Sequence, residues 1–543
     1  MKLPGYRLGS EIAHDEQTTV YRAVREQDGL PVIIKTLSRE YPLPAEVRRL
    51  EFEYRMLEKL RSPHVVGALG LARTGGQLAL ILEDFGADVL ASRRTPLPLS
   101  EFFRVAKQIV AALGHVHAHD VIHKDVRPHT LLANADGSVV KLLSFQLATE
   151  ISRESRDVSV ANQLEGALPY ISPEQTGRMN RALDYRSDHY SLGVTLFELL
   201  TGELPFSASD VMGWVHCHIS MPAPRVRERA HEVPLMLSEL VAKLMAKEPR
   251  ERYQSTRGLL ADLERCEGLA NAGRGEERFP LGADDISERF ALSQRLVGRD
   301  DEVRLLTGVF EDACQGPGKL LVVSGYSGVG KSSLIREVHK PLAARRGYFA
   351  AGKFDQLDRS VPYAALVEAL RNLVRQILTE PDARIESWRT RLSTNLGPGA
   401  SVMAELVPEL TSVLGPQPTP PPLDPGSAQN RFKLVFARFI QSIASAAHPL
   451  VLFIDDLQWA DASTPELIAD LFIDHRVQHV LVIGAYRDNE VTSAHLLSIA
   501  LRRLREAAPL AVLEMPLEPL GERGVGEMVA GAQIGRASCR ERV

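Results

Sequence analysis

Apolar positions along the first 266 residues change from a strand-like to a helix-like spacing. Residues 6–35 alternate between apolar and polar side chains, and residues 78–84 form a second strand-like run. Between these runs, residues 45–60 carry apolar positions at helical spacing. Helical spacing then dominates, at residues 100–119, 187–200, 234–245 and 255–266. The pattern predicts a small strand-rich lobe followed by a larger helical lobe, which is an α+β organisation.

A different pattern begins near residue 291, where short continuous apolar runs are separated by helical spacing. The runs lie at residues 320–323, 449–454 and 480–485. Strands of a parallel sheet are covered on both faces, so their sequences are apolar throughout. We therefore predict an α/β domain with a parallel sheet over residues 291–533, joined to a first domain at residues 1–266 by a polar linker at 267–290. Residues 416–426 are rich in proline and predict an extended loop or insert.

The composition of the 543-residue chain is typical of globular proteins, with 44% hydrophobic and 24% charged residues. The length leaves room for about two to four domains. A formal net charge of −5 argues against a polyanion-binding surface, so nucleic acid is not an expected partner. The four cysteines show no CxxC spacing, which excludes a cysteine-type zinc site and suits a reducing compartment.

The chain carries no sequence pattern of a membrane protein. Its first residues, MKLPGYRLGS, lack an apolar signal region, and no apolar run reaches the length that crosses a bilayer. We therefore expect a cytoplasmic chain without a membrane segment. Nothing in the pattern specifies an oligomeric state.

A glycine-rich loop follows the apolar run at residues 320–323 and precedes a helical pattern. This order is typical of a phosphate-binding loop, in which backbone N–H groups surround a phosphate and glycine permits the close approach. Lys331 would add a positive charge for the phosphates, and the Ser332 hydroxyl would ligate Mg²⁺. The predicted nucleotide-binding residues are Gly325, Gly328, Gly330, Lys331, Ser332 and Ser333. The alternative is a strand–turn–helix in which glycine serves only the turn.

The segment PLVLFIDD, residues 449–456, is an apolar run followed by two carboxylates. Ligands bind at the carboxyl ends of parallel strands, so we assign Asp455 to Mg²⁺ through water and Asp456 to the polarisation of an attacking water. The alternative is a core strand that ends in surface acids. Arg487 ends the next apolar run, either as a charge that stabilises a transition state or as a salt-bridging surface arginine.

Six motifs in the first domain resemble the eukaryotic-type serine/threonine protein kinase fold, from about residue 6 to residue 266. Lys35 and Glu53 resemble the strand lysine and helix glutamate that form an ion pair at the ATP phosphates. The run HKDVRP, residues 123–128, is similar to the catalytic loop, with Asp125 in the position of the catalytic base. The remaining motifs are the SPE run at residues 172–174, Asp188 and Arg252, the partner that the resemblance implies for Glu174.

The departures from that fold's pattern fall on its chemistry. Thr130 and Ser144 stand where the resemblance implies the Asn and Asp that bind the metal, and a neutral hydroxyl is a poor ligand for a hard dication. The loop after Gly9 contains no further glycine before the next strand, and Ile33 occupies a position that kinases give to a small alanine. We interpret the domain as a pseudokinase or very weak kinase, with a competent kinase as the alternative. In the first case Lys35 and Glu53 would form only a structural ion pair.

Two histidine runs, at residues 115–119 and 216–218, invite a metal interpretation. Alternate positions on a helix point to different faces, so these side chains cannot converge on one ion. We predict structural or solvated histidines in both runs.

Three motifs in the second domain resemble the STAND class of signal-transducing ATPases, within the AAA-like P-loop group. They are GKFDQ at residues 352–356, QNRF at 429–432 and DDLQWAD at 455–461. Residues 164–188 of the first domain, and the order of the two domains, are similar to bacterial hybrid sensor proteins that continue into GAF and histidine kinase domains. The resemblance implies an ATP- and Mg²⁺-dependent signalling ATPase with protein partners. The alternatives are an active kinase for which the ATPase is a scaffold, and a pure interaction scaffold.

The last ten residues, IGRASCRERV at 534–543, differ in character from the rest of the chain. They match a conceptual translation of a common sequencing adapter. We therefore expect residues 534–543 to be a read-through artefact on a truncated gene fragment.

Overall fold

The structure is a computed structural model of the 543-residue chain. It describes residues 3–14, 18–39, 41–74, 77–150, 166–177, 183–285, 296–356, 362–378, 380, 382–474 and 477–531. Residues 534–543 and part of the predicted linker, 286–290, lie outside the described residues. Across the described ranges, no helix has the length and apolar character needed to cross a bilayer.

Five antiparallel strands and one helix form the first lobe. The strands pair in the order β1-β2-β3-β5-β4, and the helix α1 packs on β4 and β5. The strands are β1 (Tyr6–His14), β2 (Thr18–Arg25), β3 (Pro31–Leu37), β4 (Ala68–Thr74) and β5 (Gln77–Glu83), and α1 spans Pro44–Lys59. The strands and the helix that the spacing predicts here are confirmed. The register places Lys35 opposite Val20 on one side and Leu80 on the other, which makes β3 central.

The second lobe is mainly helical and surrounds one helix that is buried along its length. That helix, α3 (Arg186–Thr201), packs on α2 and α5. Its buried residues include polar ones, among them Asp188 and Ser191, that are hydrogen-bonded to loops. The other helices are α2 (Leu99–Ala118), α4 (Val211–Ile219), α5 (Leu235–Leu244) and α6 (Thr256–Asn271). Short strands lie at β6 (Asp88–Val89), β7 (Val121–Ile122), β8 (Leu131–Ala133), β9 (Val140–Leu142) and β10 (Thr149–Glu150).

The described part of the predicted linker packs against the helical lobe. Helix α6 continues to Asn271, five residues beyond the predicted helix, and Phe279 is buried. The Asp285 carboxylate accepts hydrogen bonds from the backbone N–H groups of Gln254 and Ser255, at 2.7 and 2.8 Å. The polar composition of this segment gave no indication of these contacts, because a single carboxylate and one aromatic ring provide them.

The second domain is built on a parallel sheet of five strands in the order β12-β13-β14-β11-β15. The strands are β11 (Lys319–Ser324), β12 (Tyr348–Lys353), β13 (Leu450–Asp455), β14 (Val480–Tyr486) and β15 (Val512–Pro516). All three predicted apolar runs are strands of this sheet, and the predicted parallel α/β architecture is confirmed. Strand β14 lies between the strand that precedes the glycine loop and the strand that ends in Asp455.

Helices cover the sheet of the second domain. They are α7 (Asp300–Gln315), α8 (Lys331–Ile335), α9 (His339–Ala344), α10 (Ala364–Ile377), α11 (Asp382–Leu396), α12 (Ala400–Leu406), α13 (Leu410–Leu414), α14 (Pro425–Ile443), α15 (Ser463–Ile473), α16 (Leu496–Ala507) and α17 (Glu522–Gly531). The predicted loop at residues 416–426 ends at Asp424, two residues early. Pro425 starts α14 because a missing N–H is tolerated in the first turn, and Asp424 caps it by accepting the Ser427 N–H at 3.0 Å.

Candidate active sites

The glycine loop between β11 and α8 has the backbone that its sequence predicts. Gly325, Gly328 and Gly330 have φ angles of 149°, 79° and 100°. A Cβ atom added to Gly325 would lie 2.7 Å from the Leu517 carbonyl oxygen. The loop therefore requires glycine for both its conformation and its packing, and it leaves backbone N–H groups accessible to an anion, as phosphate binding needs.

Lys331 begins α8 and folds back over the glycine loop. Its Nζ atom donates to the carbonyl oxygens of Gly325 at 2.6 Å and of Tyr326 at 2.9 Å. Burial lowers the pKa of Lys331, and the negative charges of Asp455 and Asp456 oppose this effect. The ammonium group thus lies inside the loop and is surrounded by oxygen atoms.

Ser332 and Asp455 come together across the sheet edge. The Ser332 hydroxyl donates to Asp455 Oδ2 at 3.2 Å, although the residues are 123 positions apart. Burial and the charge of Asp456 raise the pKa of Asp455. A hydroxyl and a carboxylate at this distance fit the two oxygen ligands that a Mg²⁺ ion needs beside a nucleotide.

Asp456 contacts side chains other than the Ser332 hydroxyl that pairs with Asp455. Its φ angle is 55°, in the left-handed region, and its carboxylate is 9% exposed. Lys353 Nζ lies 3.2 Å from Oδ2, Arg487 Nε lies 3.6 Å from Oδ1, and Gln458 Nε2 donates to Oδ1 at 2.8 Å. The two neighbouring acids therefore have different partners.

Arg487 follows β14, at the sheet edge that also carries the glycine loop and the acids. It contacts Asp456, pairs with Glu490 at 3.0 Å, and lies 4.9 Å from the centre of the Trp459 ring. Arg487 forms salt bridges, as a surface arginine would. It also lies beside Asp456, the candidate for polarising an attacking water, as a transition-state charge would. Its side chain is 27% exposed.

The sequence reasoning did not single out three side chains at this site. Lys353 ends β12, which pairs with β13, so strand adjacency brings it to Asp456. Gln458 lies in the turn after β13 and also accepts the Arg487 N–H at 3.1 Å. Arg299 is 6% exposed, contacts the Glu518 carbonyl and donates to the Val329 carbonyl at 3.4 Å. Lys353 lies in the GKFDQ motif and Gln458 in the DDLQWAD motif, but their partners depend on strand order.

In the first domain, the predicted ion pair between strand and helix is formed. Lys35 Nζ donates to Glu53 Oε1 at 3.1 Å and Oε2 at 2.9 Å, and both side chains are buried. The pair ties the central strand β3 to α1. A buried pair of this kind needs both partners, because either charge alone would be desolvated without compensation.

The catalytic-loop motif is held by Asp188 on the buried helix α3. Asp188 accepts the N–H groups of His123 at 2.9 Å and Lys124 at 2.8 Å, and its Oδ2 lies 2.8 Å from His117 Nε2. Burial alone would raise the pKa of Asp188, but the interactions with His117 and His123 together outweigh this effect and lower the pKa. The loop is thereby anchored immediately before Asp125.

Asp125 itself is paired with a cation two residues away. Its Oδ1 lies 2.9 Å from Arg127 Nε, and its backbone carbonyl accepts the Thr130 hydroxyl at 2.6 Å. Thr130 is buried and its hydroxyl is used within the loop. It is therefore a poor candidate for a metal ligand.

Ser144 follows β9, at the position where the kinase resemblance implies a metal-binding Asp. Its φ angle is 69°, and the next residue, Phe145, is fully buried with its ring 4.7 Å from that of His123. The backbone turn and the aromatic packing are present, but the side chain is a hydroxyl. Among the described residues of the first domain, Ser144 and Thr130 provide hydroxyl groups, which are weaker ligands for Mg²⁺ than the carboxylate and amide oxygens that the kinase resemblance implies at these positions.

The histidine runs make separate contacts. His119 Nδ1 lies 2.9 Å from the His115 carbonyl, whereas His117 contacts Asp188. His216 and His218 likewise contact different backbone carbonyls, of Ala343 and Leu168. In the ranges that the structure describes, no cluster of three His, Cys, Asp or Glu side chains could hold a metal ion.

Comparison with family models matches both domains. Residues 6–262 match the protein kinase domain, and residues 295–483 match the AAA ATPase domain. The first match contains the Lys35–Glu53 pair and Asp188, and the second contains the glycine loop, Asp455 and Asp456.

Relatives include proteins of two kinds. Hybrid signal transduction histidine kinase G of Dictyostelium discoideum is 32% identical, over 68% of this chain and 13% of that protein. Histidine protein kinase 1 of Candida albicans is 24% identical, over 70% of this chain and 17% of that protein. Serine/threonine-protein kinase PrkC of Bacillus subtilis is 29% identical, over 47% of this chain and 39% of that kinase.

The chain spans less than a fifth of the length of the two histidine kinases that it matches. Fold and family matches agree for both domains. The antiparallel lobe and its helical partner lie in the protein kinase match, and strands of the parallel sheet lie in the AAA ATPase match. This chain carries a protein kinase domain followed by an AAA ATPase domain.

Proposed function

We propose that this chain is an ATP-dependent signalling switch, in which Mg²⁺–ATP bound and hydrolysed at the P-loop changes how the ATPase domain acts on a kinase-like domain. One observation carries the proposal. The Ser332 hydroxyl and the Asp455 carboxylate meet at 3.2 Å beside a loop whose three glycines have positive φ angles. Hydroxyl, carboxylate and phosphate-binding loop are the parts that a nucleotide with its metal requires.

Each residue of the second site has a role that follows from its chemistry. Lys331 would contribute a positive charge to the phosphates, and Ser332 and Asp455 would hold the metal, Asp455 through water. Bound Mg²⁺–ATP supplies the transferable phosphoryl group and the charge neutralisation that hydrolysis needs. Asp456 polarises the attacking water, and Arg487 contributes positive charge beside it. Asp456 is paired with Lys353 and Arg487 here, so its action requires these ion pairs to loosen.

The kinase-like domain is proposed to transfer phosphate weakly or not at all. Ser144 and Thr130 remove both protein oxygens that phosphoryl transfer would use for metal binding. The buried Lys35–Glu53 pair then serves to hold β3 on α1 within the first lobe, and Asp188 serves to hold the loop before Asp125 within the second lobe. The domain would act as a binding and signalling module.

A titration with a fluorescent ATP analogue tests this function on the full chain. We expect Mg²⁺-dependent binding that Lys331→Ala weakens at least about 10-fold, because a charge and a loop contact are lost. Lys340→Ala is the matched control, since Lys340 is an exposed lysine in the following helix α9. Equal binding by the wild type, Lys331→Ala and Lys340→Ala would contradict a nucleotide site at the P-loop.

A second candidate function is an active serine/threonine kinase for which the ATPase is a regulatory scaffold. The assembled Lys35–Glu53 pair at 2.9 Å and the anchored loop at Asp125 favour it. Transfer of the ATP γ-phosphate to a protein substrate, lost in Asp125→Asn and retained in Lys331→Ala, would support this candidate. No transfer by the wild type would exclude it.

We infer the setting of the switch from the sequence motifs and the relatives. The GKFDQ, QNRF and DDLQWAD motifs support assignment to the STAND class. Two relatives are named as histidine kinases, which supports a place in a signalling pathway with protein partners. We propose a cytoplasmic location for the described domains and a bacterial hybrid sensor as the parent protein.

A further inference from the structure

Helix α4 of the kinase domain contacts helix α9 of the ATPase domain. Val215 and Ile219 from α4 and Ala343 from α9 form one buried cluster, with exposures of 0%, 2% and 1%. His216 Nδ1 lies 3.0 Å from the Ala343 carbonyl oxygen. A carbonyl can only accept, so Nδ1 carries the proton and donates it. The contact therefore combines apolar burial with one directed hydrogen bond.

The α9 side of this contact is the far end of the P-loop helix. Helix α8 starts at Lys331, a 3-10 turn at Arg336–Val338 follows, and α9 ends at Ala344. Pro341 accounts for the tightened turn, because it has no N–H to donate to the preceding turn and its ring crowds that turn. At about 1.5 Å per residue, the helical run from Lys331 places Ala344 roughly 20 Å from the P-loop.

The α4 side of the contact continues into the kinase domain through His218. Its Nε2 lies 2.8 Å from the Leu168 carbonyl, and its Nδ1 lies 3.0 Å from the Tyr190 hydroxyl. Nε2 must donate to the carbonyl, and Nδ1 then accepts from the tyrosine. His216 and His218 thus connect the same short helix to the ATPase domain on one side and to residues 166–177 on the other.

Residues 166–177 are in turn tied to the catalytic loop. Gln175 Nε2 donates to the Lys124 carbonyl at 2.8 Å, immediately before Asp125. Tyr170 donates to Glu198 on the buried helix α3 at 2.7 Å. A continuous series of packed and hydrogen-bonded groups therefore runs from the P-loop helix to the loop that carries Asp125.

We propose that α4 is the internal docking surface for the far end of the P-loop helix, and that ATP–Mg²⁺ at the P-loop acts through it on residues 166–177. His216 joins α4 to α9, and His218 joins α4 to residues 166–177. This inference rests on the proposed function, because it requires the P-loop to take the nucleotide.

Hydrogen–deuterium exchange of the full chain with and without ATP–Mg²⁺ tests the inference. Amide exchange in residues 325–335, 211–219 and 166–177 of the wild type should slow, by roughly 5-fold or more in the last two segments. Lys331→Ala should abolish the response in all three segments. This variant also removes ambiguity about ATP bound in the kinase domain, since it leaves that site intact.

Two substitutions of His216 form a matched pair. His216→Leu removes the donor to Ala343 and should abolish the response in residues 166–177 while the response in 325–335 persists. His216→Asn keeps an amide N–H near the position of Nδ1, so the response in residues 166–177 should be retained. Ala343→Asp, which places a negative charge at the end of α9, should act like His216→Leu.

The outcomes separate the two proposals. Without protection at 325–335 in the wild type, both the proposed function and the docking inference are wrong. If residues 325–335 are protected but 166–177 are not, only the docking inference is overturned. The same holds if the response at 166–177 survives His216→Leu or Lys331→Ala.

Discussion

At the scale of single residues, the two candidate nucleotide sites differ mainly in whether a carboxylate lies at the predicted metal-binding position. Asp455 has a hydroxyl partner in Ser332, whereas the kinase domain has Ser144 and Thr130 where carboxylate and amide would stand. The places of Gly325, Lys331 and Asp455 at one edge of the sheet could be predicted from sequence, because the glycine loop and the strand that ends in acids are local patterns. The pairing of Lys353 with Asp456 could not, since it depends on which strand lies beside β13.

Gly325 is predicted to be indispensable for the P-loop. In Gly325→Ala the new methyl group meets the Leu517 carbonyl at 2.7 Å and the backbone keeps an unfavourable φ of 149°. We expect at least a roughly 10-fold loss of ATP affinity, measured by titration, since the loop must deform.

Gly308→Ala is the control for that substitution. Gly308 lies in α7 with no atom within 4 Å of an added Cβ. Alanine should raise the free energy of unfolding by up to about 1 kcal/mol and leave ATP affinity unchanged. Equal ATP affinity in Gly325→Ala and the wild type would contradict the role given to the loop.

Lys247 is predicted to make stability depend on pH. Burial, aided by the charge of Arg252, lowers the pKa of Lys247 to about 7. Between pH 7 and its ordinary pKa near 10, the unfolded chain therefore binds a proton that the folded chain lacks, so stability rises with pH. We expect the wild type to gain stability relative to Lys247→Met from pH 7 to pH 9, by at most about 1.4 kcal/mol per pH unit.

Urea unfolding at several pH values measures this effect. Lys243→Met serves as the control, because Lys243 is half-buried, on the adjacent helix α5. A constant stability difference between the wild type and Lys247→Met across this pH range would show that Lys247 has an ordinary pKa.

At the scale of elements, periodicity predicted the strands and helices well, and long-range contacts decided the rest. The alternating first strands and the apolar runs of the parallel sheet follow directly from which faces are buried. The extension of the helical lobe by residues 272–285 did not show in the pattern, because it depends on a hydrogen bond to Asp285 from the Ser255 N–H, 30 positions earlier in the chain. The shortened loop before α14 has a local cause, the Asp424 cap with Pro425 in the first turn.

The buried ion pair between Arg252 and Glu174 is predicted to hold the helical lobe together. The side chains are 0% and 1% exposed and lie 2.6 Å apart. Arg252→Met should cost about 3–5 kcal/mol of unfolding free energy, because the Glu174 charge stays buried without its partner. Adding Glu174→Gln should recover part of that loss.

An exposed pair in the same lobe is the comparison for this prediction. Arg229 and Glu203 are 44% and 63% exposed, so Arg229→Met should cost less than about 1 kcal/mol. Chemical denaturation of the variants gives both values. A similar cost for both arginines would contradict the importance assigned to the buried pair.

At the scale of the whole molecule, a kinase domain with Ser144 and Thr130 at its candidate metal-binding positions is joined to an ATPase domain with Ser332 and Asp455 at its own. The order of the domains and both site types could be predicted from sequence motifs, since these are local. The contact between α4 and α9 could not be predicted, because it joins residues 127 positions apart in the chain through His216 and Ala343. It places the end of the P-loop helix against the kinase domain.

The fate of the ATP γ-phosphate tests the central claim most directly. Full-length protein is incubated with γ-labelled ATP and Mg²⁺, and the label is divided into free phosphate and protein-bound phosphate. We predict that nearly all label appears as free phosphate, that Lys331→Ala abolishes its release, and that Asp125→Asn leaves it unchanged. Label transferred to protein, retained in Lys331→Ala and lost in Asp125→Asn, would contradict the claim that the P-loop is the working ATP site.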